Sequence, residues 1–244
     1  MKAASVLRNA AAFAKRKAVA SRYAVRTGRG ILRQERRREK DPVRKFGMGW
    51  LLLTSFTPKR AILSAFKAKH PSMYRHSMQV AQLSVEVAKE LRSRGVNPGV
   101  TNREMRLGAV FHDIGKLFLS KKVVTKKPPL TKAERAAIDS HVNLGVRLVK
   151  DIVPEKSLEL VLKHQEEFDG SGYPKGIKAD EIPLSVRIIS LVDDFSAMSM
   201  PREYRSSTKS WRAAFDEIKS LDGKRYDLRV IAAFEAVLEM RGML

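Results

Sequence analysis

The chain has 244 residues, a formal net charge of +22 and no cysteine. Its length suits one domain of about 200 residues plus an arm, with a core that needs no disulfide. The lack of cysteine excludes thiolate metal sites and cysteine nucleophiles, and fits a reducing compartment. No apolar run approaches the roughly 18 residues of a bilayer span. We therefore expect a cytoplasmic protein without a transmembrane segment.

Residues 1–45 are predicted to be a basic N-terminal arm, separate from a domain at 46–244. The arm has 15 Lys and Arg residues against three acidic residues, a net charge of +12. Such a field attracts polyanions, and the binding should weaken with added salt. Three interpretations are open: an arm that becomes ordered on nucleic acid or another acidic partner, a solvated basic extension that is disordered and functionally neutral, or an organellar targeting segment.

Helical periodicity dominates the rest of the chain. Thr101 and Thr131 each stand three residues before a glutamate, which is a capping box that opens a helix. Helices are predicted over 58–69, 73–94, from Thr101 to the His-Asp pair at 112–113, from Thr131 to about residue 151, after Pro154, and over 183–200, about 207–220 and about 227–241. No segment alternates with a period of two, so we predict an all-α fold.

Four of the five histidines fall on separate predicted helices, each within an apolar-periodic stretch. Taken one at a time, each is better explained as a core histidine with a hydrogen-bond partner. Taken together with two carboxylates, they favour a metal centre, because imidazole and carboxylate both suit manganese, iron and zinc. The four histidines are His76, His112, His141 and His164.

The two carboxylates are Asp113 and Asp193. Asp113 follows His112 directly, and Asp193 lies inside the apolar helix predicted over 183–200. A carboxylate there is costly to bury unless it is paired with a cation. Asp194 faces about 100° away on the same helix, so we expect it to be a surface or capping residue.

The order of these motifs identifies a family. The pattern is His76, then His112-Asp113-x-x-Lys116, His141-x-x-x-Gly145, His164-Gln165-Glu166-x-x-Asp169-Gly170-x-Gly172-Tyr173-Pro174 and Asp193. It resembles the HD-GYP subgroup of the HD phosphohydrolase superfamily, over roughly residues 58–240. The resemblance implies an HD-type helical bundle that binds two, sometimes three, metal ions and hydrolyses cyclic dinucleotides, chiefly cyclic di-GMP, in bacteria.

The resemblance also implies two sets of metal ligands. One ion would be held by His76, His112, Asp113 and Asp193. The second would be held by Asp113, His141, His164 and the position of Gln165. Two bridged ions suit this reaction because they generate a hydroxide near neutral pH and clamp the phosphoryl oxygens. Iron or manganese is the expected cofactor, as one or two divalent ions.

Further residues are candidates for substrate binding. Lys116 either contacts a phosphate oxygen or forms an ordinary ion pair with a nearby acid. Arg202 and Arg205 resemble the family's basic phosphate-binding pair, for which guanidinium groups are suited; the alternative is a solvated basic turn. Tyr173 either lines the substrate entrance or fills the turn.

Three positions depart from the family pattern. Gln165 stands where the family has a histidine ligand, so the second ion should bind weakly or be lost. Ser196 stands where the family commonly has a second aspartate. Ser72 stands where members with a third ion have glutamate, which argues against a trinuclear centre.

We therefore expect a metal-dependent phosphodiesterase that hydrolyses a cyclic dinucleotide through metal-activated water, with Asp113 and Lys116 at the catalytic centre. One alternative is a catalytically degenerate HD-GYP-like nucleotide-binding or interaction module, recruited by the arm to nucleic acid or another acidic partner. Another is a general HD nucleotidohydrolase that acts on a different phosphate substrate.

Overall fold

A computed structural model describes residues 58–126, 129–201 and 208–244. Within these ranges the backbone is helical, without a strand; a single isolated bridge joins Asp222 and Tyr226. The predicted all-α fold is confirmed. None of the described helices combines the length and the apolar character needed to cross a membrane. The predictions for the arm at 1–45, the boundary at 46, Arg202 and Arg205 lie outside the described residues.

The described part of the chain consists of helices joined by short loops. The α-helices are α1 (Pro58–Lys69), α2 (Pro71–Ser93), α3 (Asn102–Phe111), α4 (Lys121–Val124), α5 (Lys132–Asp139), α6 (His141–Val149), α7 (Glu155–Lys163), α8 (Leu184–Ser199), α9 (Trp211–Ser220) and α10 (Leu228–Met240). Short 3-10 helices lie at Ile114–Phe118 and Ala179–Glu181.

The capping boxes predicted at Thr101 and Thr131 are present at the starts of α3 and α5. The single helix predicted from Thr131 to about residue 151 is wrong, because α5 ends at Asp139 and α6 begins at His141. Ser140 lies at the break, and its hydroxyl donates to the carbonyl of Ala137 at 2.7 Å. A serine that bonds to the preceding turn in this way bends a helix.

Helix α2 is the central element of the core and packs against α1, α3, α8 and α10. Its buried side includes Val80, Leu83 and Val87. On the far side of α8, the ring of Phe195 meets that of Phe234 edge to face, with centroids 4.9 Å apart. Such pairs stabilise beyond the area they bury. The core therefore fixes α8 relative to α2 and α10.

Two glycines allow the helices around the His-Asp pair to approach closely. A Cβ on Gly115 would lie 1.9 Å from the carbonyl oxygen of His141, and one on Gly108 would lie 2.5 Å from Cδ1 of Leu160. The 3-10 helix after α3 therefore contacts the backbone of α6, while α3 contacts α7. These contacts bring His141 and the end of α7 towards His112.

Candidate metal centre

Six predicted ligand side chains converge from different elements. His76 lies on α2, His112 follows α3 and Asp113 precedes the 3-10 helix, His141 begins α6, His164 follows α7, and Asp193 lies on α8. All four histidines are buried, as is Asp113, and the Asp193 side chain is 13% exposed. In two sets of three, the candidate ligand atoms lie within 4.8 Å of one another: His76, His112 and Asp193, and His112, Asp113 and His164.

The backbone fixes the tautomer of three of these imidazoles. Nδ1 of His112 lies 2.7 Å from the carbonyl oxygen of Ala109. Nδ1 of His141 is 2.6 Å from that of Ile138, and Nδ1 of His164 is 3.0 Å from that of Val161. A carbonyl only accepts, so each Nδ1 must donate. Each Nε2 therefore faces the centre, as in metal-binding histidines held by a hydrogen bond at the other nitrogen.

The Nε2 atoms of these histidines lie close together but do not satisfy each other's hydrogen-bonding capacity. Those of His141 and His164 are 3.2 Å apart, and neutral rings with protonated Nδ1 would oppose two lone pairs there. Nε2 of His112 is buried and has no hydrogen-bond partner among the described residues. Buried polar atoms of this kind call for an ion or another unseen partner. The donor set therefore fits a divalent cation.

The spacing of the ligand atoms agrees with this interpretation. Atoms that share one ion at about 2.1 Å lie roughly 3 to 3.5 Å apart. Nε2 of His141 is 3.4 Å from Oδ1 of Asp113, and Nε2 of His112 is 3.6 Å from one oxygen each of Asp113 and Asp193. Nε2 of His76 is only 2.7 Å from Oδ1 of Asp193. That pair is a direct hydrogen bond, which an ion would have to replace.

The protonation states also suit metal binding. Burial lowers the pKa of His141 to about 4 and lowers the pKa of His164 well below its usual range. Burial works to raise the pKa of Asp113 and Asp193, but nearby cationic groups outweigh it and hold both pKa values well below the usual range. Neutral imidazoles and ionised carboxylates are the forms that ligate metals.

His112 behaves differently. Burial lowers its pKa, but the charges of Asp113 and Asp193 outweigh burial and raise it. The same two carboxylates would attract any cation at this position. A metal ion would therefore compete directly with a proton for Nε2 of His112.

Lys116 forms an ion pair inside the centre. Its Nζ lies 2.7 Å from Oδ1 and 2.8 Å from Oδ2 of Asp113, and hydrogen-bond geometry is met at Oδ2. The lysine side chain is 16% exposed, so it lies at the edge of the buried cluster. The 3-10 helix places Lys116 beside Asp113 rather than on a continuing α-helical face with His112. Lys116 therefore balances the negative charge of the buried Asp113 carboxylate.

Gln165 and Tyr173 also reach this centre. Nε2 of Gln165 lies 3.4 Å from Oδ2 of Asp193, and the Tyr173 hydroxyl lies 3.2 Å from Oε1 of Gln165. Burial, followed by the charge of Asp139, raises the pKa of Tyr173, so the phenol keeps its proton. Tyr173 is half-buried and joins the loop to the cluster.

The expectation for Asp194 is wrong in one respect. It lies apart from the histidine cluster, but it is only about one third exposed and is engaged in a second polar cluster. Arg225 binds Glu167 through two contacts of 2.6 Å and reaches Asp194 at 3.1 Å, while the Tyr226 hydroxyl donates to Asp194 at 2.8 Å. This cluster ties the turn before α10 to α8. No sequence signal predicted it, because the pairing spans about 30 residues or more.

The Asp-Gly-x-Gly-Tyr-Pro loop is anchored by Glu166, whose importance the sequence did not reveal. Its carboxylate is buried and accepts from the backbone N–H of Lys175 at 2.8 Å and of Ile177 at 3.2 Å. The Tyr173-Pro174 peptide is cis. Glu166 thus holds the loop beside His164 and Gln165.

Comparison with known proteins identifies the family. A family model described as "HD domain" matches residues 63–230. This is well over half of the chain, so the chain belongs to the HD domain family.

The curated relatives include cyclic-dinucleotide phosphodiesterases. A "Cyclic di-GMP phosphodiesterase" of Thermotoga maritima is 36% identical over 164 residues, which cover 66% of this chain and 43% of that protein. The "3'3'-cGAMP-specific phosphodiesterase 3" of Vibrio cholerae is 35% identical over 141 residues, covering 57% of this chain and 30% of that protein. The match therefore spans less than half the length of either relative. The predicted HD-GYP relationship is confirmed.

A solved structure supports the fold. The HD domain of the phosphodiesterase PgpH of L. monocytogenes, in complex with cyclic-di-AMP, aligns with a TM-score of 0.52 and 21% identity. The alignment covers 75% of this chain and 96% of that one. At this identity the likeness concerns the helical architecture alone.

Proposed function

We propose that the chain is a metal-dependent phosphodiesterase that hydrolyses a cyclic dinucleotide. The observation that carries the proposal is the convergence of four imidazoles and two carboxylates in the buried centre of an HD domain. The relatives with phosphodiesterase names support the substrate class. Iron or manganese is the proposed metal, because mixed imidazole and carboxylate ligands suit both.

The proposed ligands divide between two positions. His76, His112 and Asp193 would hold one ion, and Asp113, His141 and His164 a second, with Asp113 close to both. A bound divalent ion would supply an activated water and neutralise charge on the phosphoryl oxygens. Lys116 keeps the Asp113 carboxylate ionised and, from the edge of the centre, would also position a substrate phosphate. Tyr173 would line the entrance.

The proposal is tested by metal analysis of the purified protein, paired with turnover of cyclic di-GMP and 3'3'-cGAMP in Mn²⁺ and in Fe²⁺. We expect one or two ions per chain and hydrolysis of at least one substrate. The matched control is Asp113→Asn, which keeps the shape of the side chain but removes its charge, and should lose metal and activity together. One ion or none, with no hydrolysis in either metal, would overturn the proposed activity.

A catalytically degenerate nucleotide-binding module is the second candidate. Two observations favour it: Gln165 directs its amide N–H towards Asp193, and Ser196 is fully buried, with no hydrogen-bond partner for its hydroxyl in the part of the chain that the structure describes. Neither side chain offers the ionised or imidazole ligand that stands there in the family. Binding of a cyclic dinucleotide without turnover, measured by calorimetry in the same metals, would support this alternative.

A further inference from the structure

Gln165 lies between the loop tyrosine and a proposed metal ligand. Its Oε1 is 3.2 Å from the hydroxyl of Tyr173, and its Nε2 is 3.4 Å from Oδ2 of Asp193. The backbone repeats the first connection, because the Tyr173 N–H donates to the Gln165 carbonyl at 3.0 Å. The side chain of residue 165 thus connects the loop with the metal centre.

The orientation of the Gln165 amide follows from its neighbours. The ionised carboxylate of Asp193 only accepts hydrogen bonds, so the amide NH₂ group must face it. The carbonyl Oε1 then faces Tyr173, whose protonated hydroxyl is a donor. The 3.4 Å contact is longer than a typical N–H···O bond. It is nevertheless directed, since reversing the amide would place a carbonyl oxygen against the carboxylate.

The backbone around Gln165 is held in place from both sides. A Cβ on Gly172 would lie 2.4 Å from the Gln165 carbonyl oxygen, so only glycine allows the loop to pack there. On the other side, the Ser190 hydroxyl of α8 contacts the carbonyl oxygens of His164 at 2.8 Å and Glu166 at 3.2 Å. Ser190 lies one turn before Asp193 on the same helix. Residue 165 and Asp193 therefore keep a defined separation.

We propose that Gln165 is a positioning residue that acts as a hydrogen-bond donor and supplies no ligand oxygen. It holds Oδ2 of Asp193, while Oδ1 of that carboxylate faces Nε2 of His76 at 2.7 Å and of His112 at 3.6 Å. Tyr173 in turn holds the Gln165 carbonyl. The inference rests on the proposed metal-dependent function and assigns the loop tyrosine a role in orienting a metal ligand.

The negative charge of Asp139 also acts on the Tyr173 hydroxyl and contributes to its raised pKa. Asp139→Asn removes this charge and leaves the contacts of Gln165 in place. This variant is therefore the matched control for substitutions of Tyr173 and Gln165.

The experiment measures Mn²⁺ binding to the full chain by calorimetry, without substrate. The variants are Tyr173→Phe, Gln165→Ala, Gln165→Glu and Asp139→Asn, each checked for helical content by circular dichroism. Loss of an outer hydrogen-bond partner weakens metal binding by about 10-fold to 100-fold. We expect Tyr173→Phe and Gln165→Ala to weaken Mn²⁺ binding by at least about 10-fold with unchanged stoichiometry, and Asp139→Asn to bind as tightly as the wild type or more tightly.

Gln165→Glu decides between the two roles. If Gln165 is a positioning donor, Gln165→Glu should weaken Mn²⁺ binding, because the glutamate carboxylate has no N–H to donate and repels the carboxylate of Asp193. If Gln165 instead supplied a ligand oxygen, the charged glutamate would be the better ligand. Tighter Mn²⁺ binding or an additional ion in Gln165→Glu would therefore overturn the inference. Tighter binding in Tyr173→Phe would also overturn it, since the phenol would then be competing with the metal for Oε1. Absence of Mn²⁺ binding by the wild type would instead refute the proposed function.

Discussion

The contact between Gly115 and the backbone of α6 predicts a large effect for Gly115→Ala. The added Cβ would lie 1.9 Å from the His141 carbonyl oxygen and 2.6 Å from the Gly145 nitrogen. Ordinary contacts are about 3.5 Å or more, so the two backbone segments would have to separate by about 1.5 Å. The obstacle is main chain, which cannot rotate away as a side chain can.

Overpacking of a core typically costs about 1 to 3 kcal/mol, and we expect the upper end here. At about 2 to 4 °C per kcal/mol for a domain of this size, the midpoint of thermal unfolding should fall by about 6 to 12 °C. The same separation moves His141 away from Asp113. Metal analysis of Gly115→Ala should therefore show weaker occupancy of the second proposed position.

Gly145→Ala is the matched control, because it lies on the opposite side of the same contact. Its added Cβ would be 3.2 Å from Cγ1 of Val161 and 3.4 Å from the Gly115 nitrogen. A side chain can yield by a few tenths of an ångström, and alanine gains helix propensity of about 1 kcal/mol over glycine. We expect little net change. If Gly115→Ala melts within about 2 °C of the wild type, or Gly145→Ala is the more damaging change, the close approach is wrong.

Three further predictions concern charge. Metal-free protein should lose stability as the pH falls from about 6.5 towards 4, because the unfolded chain binds protons on histidines that stay neutral when folded. The effect comes from His141, with a pKa of about 4, and from His164. Thermal unfolding at a series of pH values will measure it. Lys116→Met should destabilise metal-free protein by about 2 kcal/mol more than Mn²⁺-loaded protein, measured by denaturant unfolding, because a cation replaces the lost counter-charge of Asp113. Deletion of 1–45 should abolish salt-sensitive binding to a polyanion column without changing metal content.

Controls are available for each of these. The pKa of His112 is raised, so it is protonated in both states below about pH 6.5 and adds no slope there; a flat profile would contradict the neutral histidines. Lys126→Met removes an exposed lysine paired with Glu134 and should cost little in either metal state. If Lys116→Met lowered the free energy of unfolding equally with and without metal, Lys116 would not be the counter-charge of Asp113. Retained polyanion binding after deletion would locate the basic surface in the helical domain.

The histidine and aspartate cluster could be predicted from the sequence for a physical reason. Each residue lies on a helix with an apolar side or directly at the end of one, so its burial follows from the local sequence, and the residues converge because these helices pack around a single core. The capping boxes at Thr101 and Thr131 were equally local signals and are confirmed. Side chains whose environment is set within one or two turns were therefore predictable.

The remaining features depend on distant contacts or on small backbone choices. The break at Ser140 rests on one hydroxyl that binds a carbonyl in the preceding turn. The position of Lys116 depends on a 3-10 helix replacing an α-helix after Phe111. The setting of Asp194 depends on Arg225, which is 31 residues away in sequence. None of these leaves a periodic pattern, so hydrophobic spacing could not reveal them.

The carbonyls that hold the three imidazoles have a further consequence. They belong to the last turns of α3, α5 and α7, so three helices direct their C-terminal ends at one point. Each such end carries about half a negative charge from the aligned peptide dipoles, in addition to two ionised carboxylates, of which Lys116 compensates only that of Asp113. A phosphodiester anion approaching this point would be repelled until a cation had neutralised it. We therefore expect obligatory ordered binding, in which metal enters before the nucleotide, so that a chelator abolishes nucleotide affinity as well as turnover.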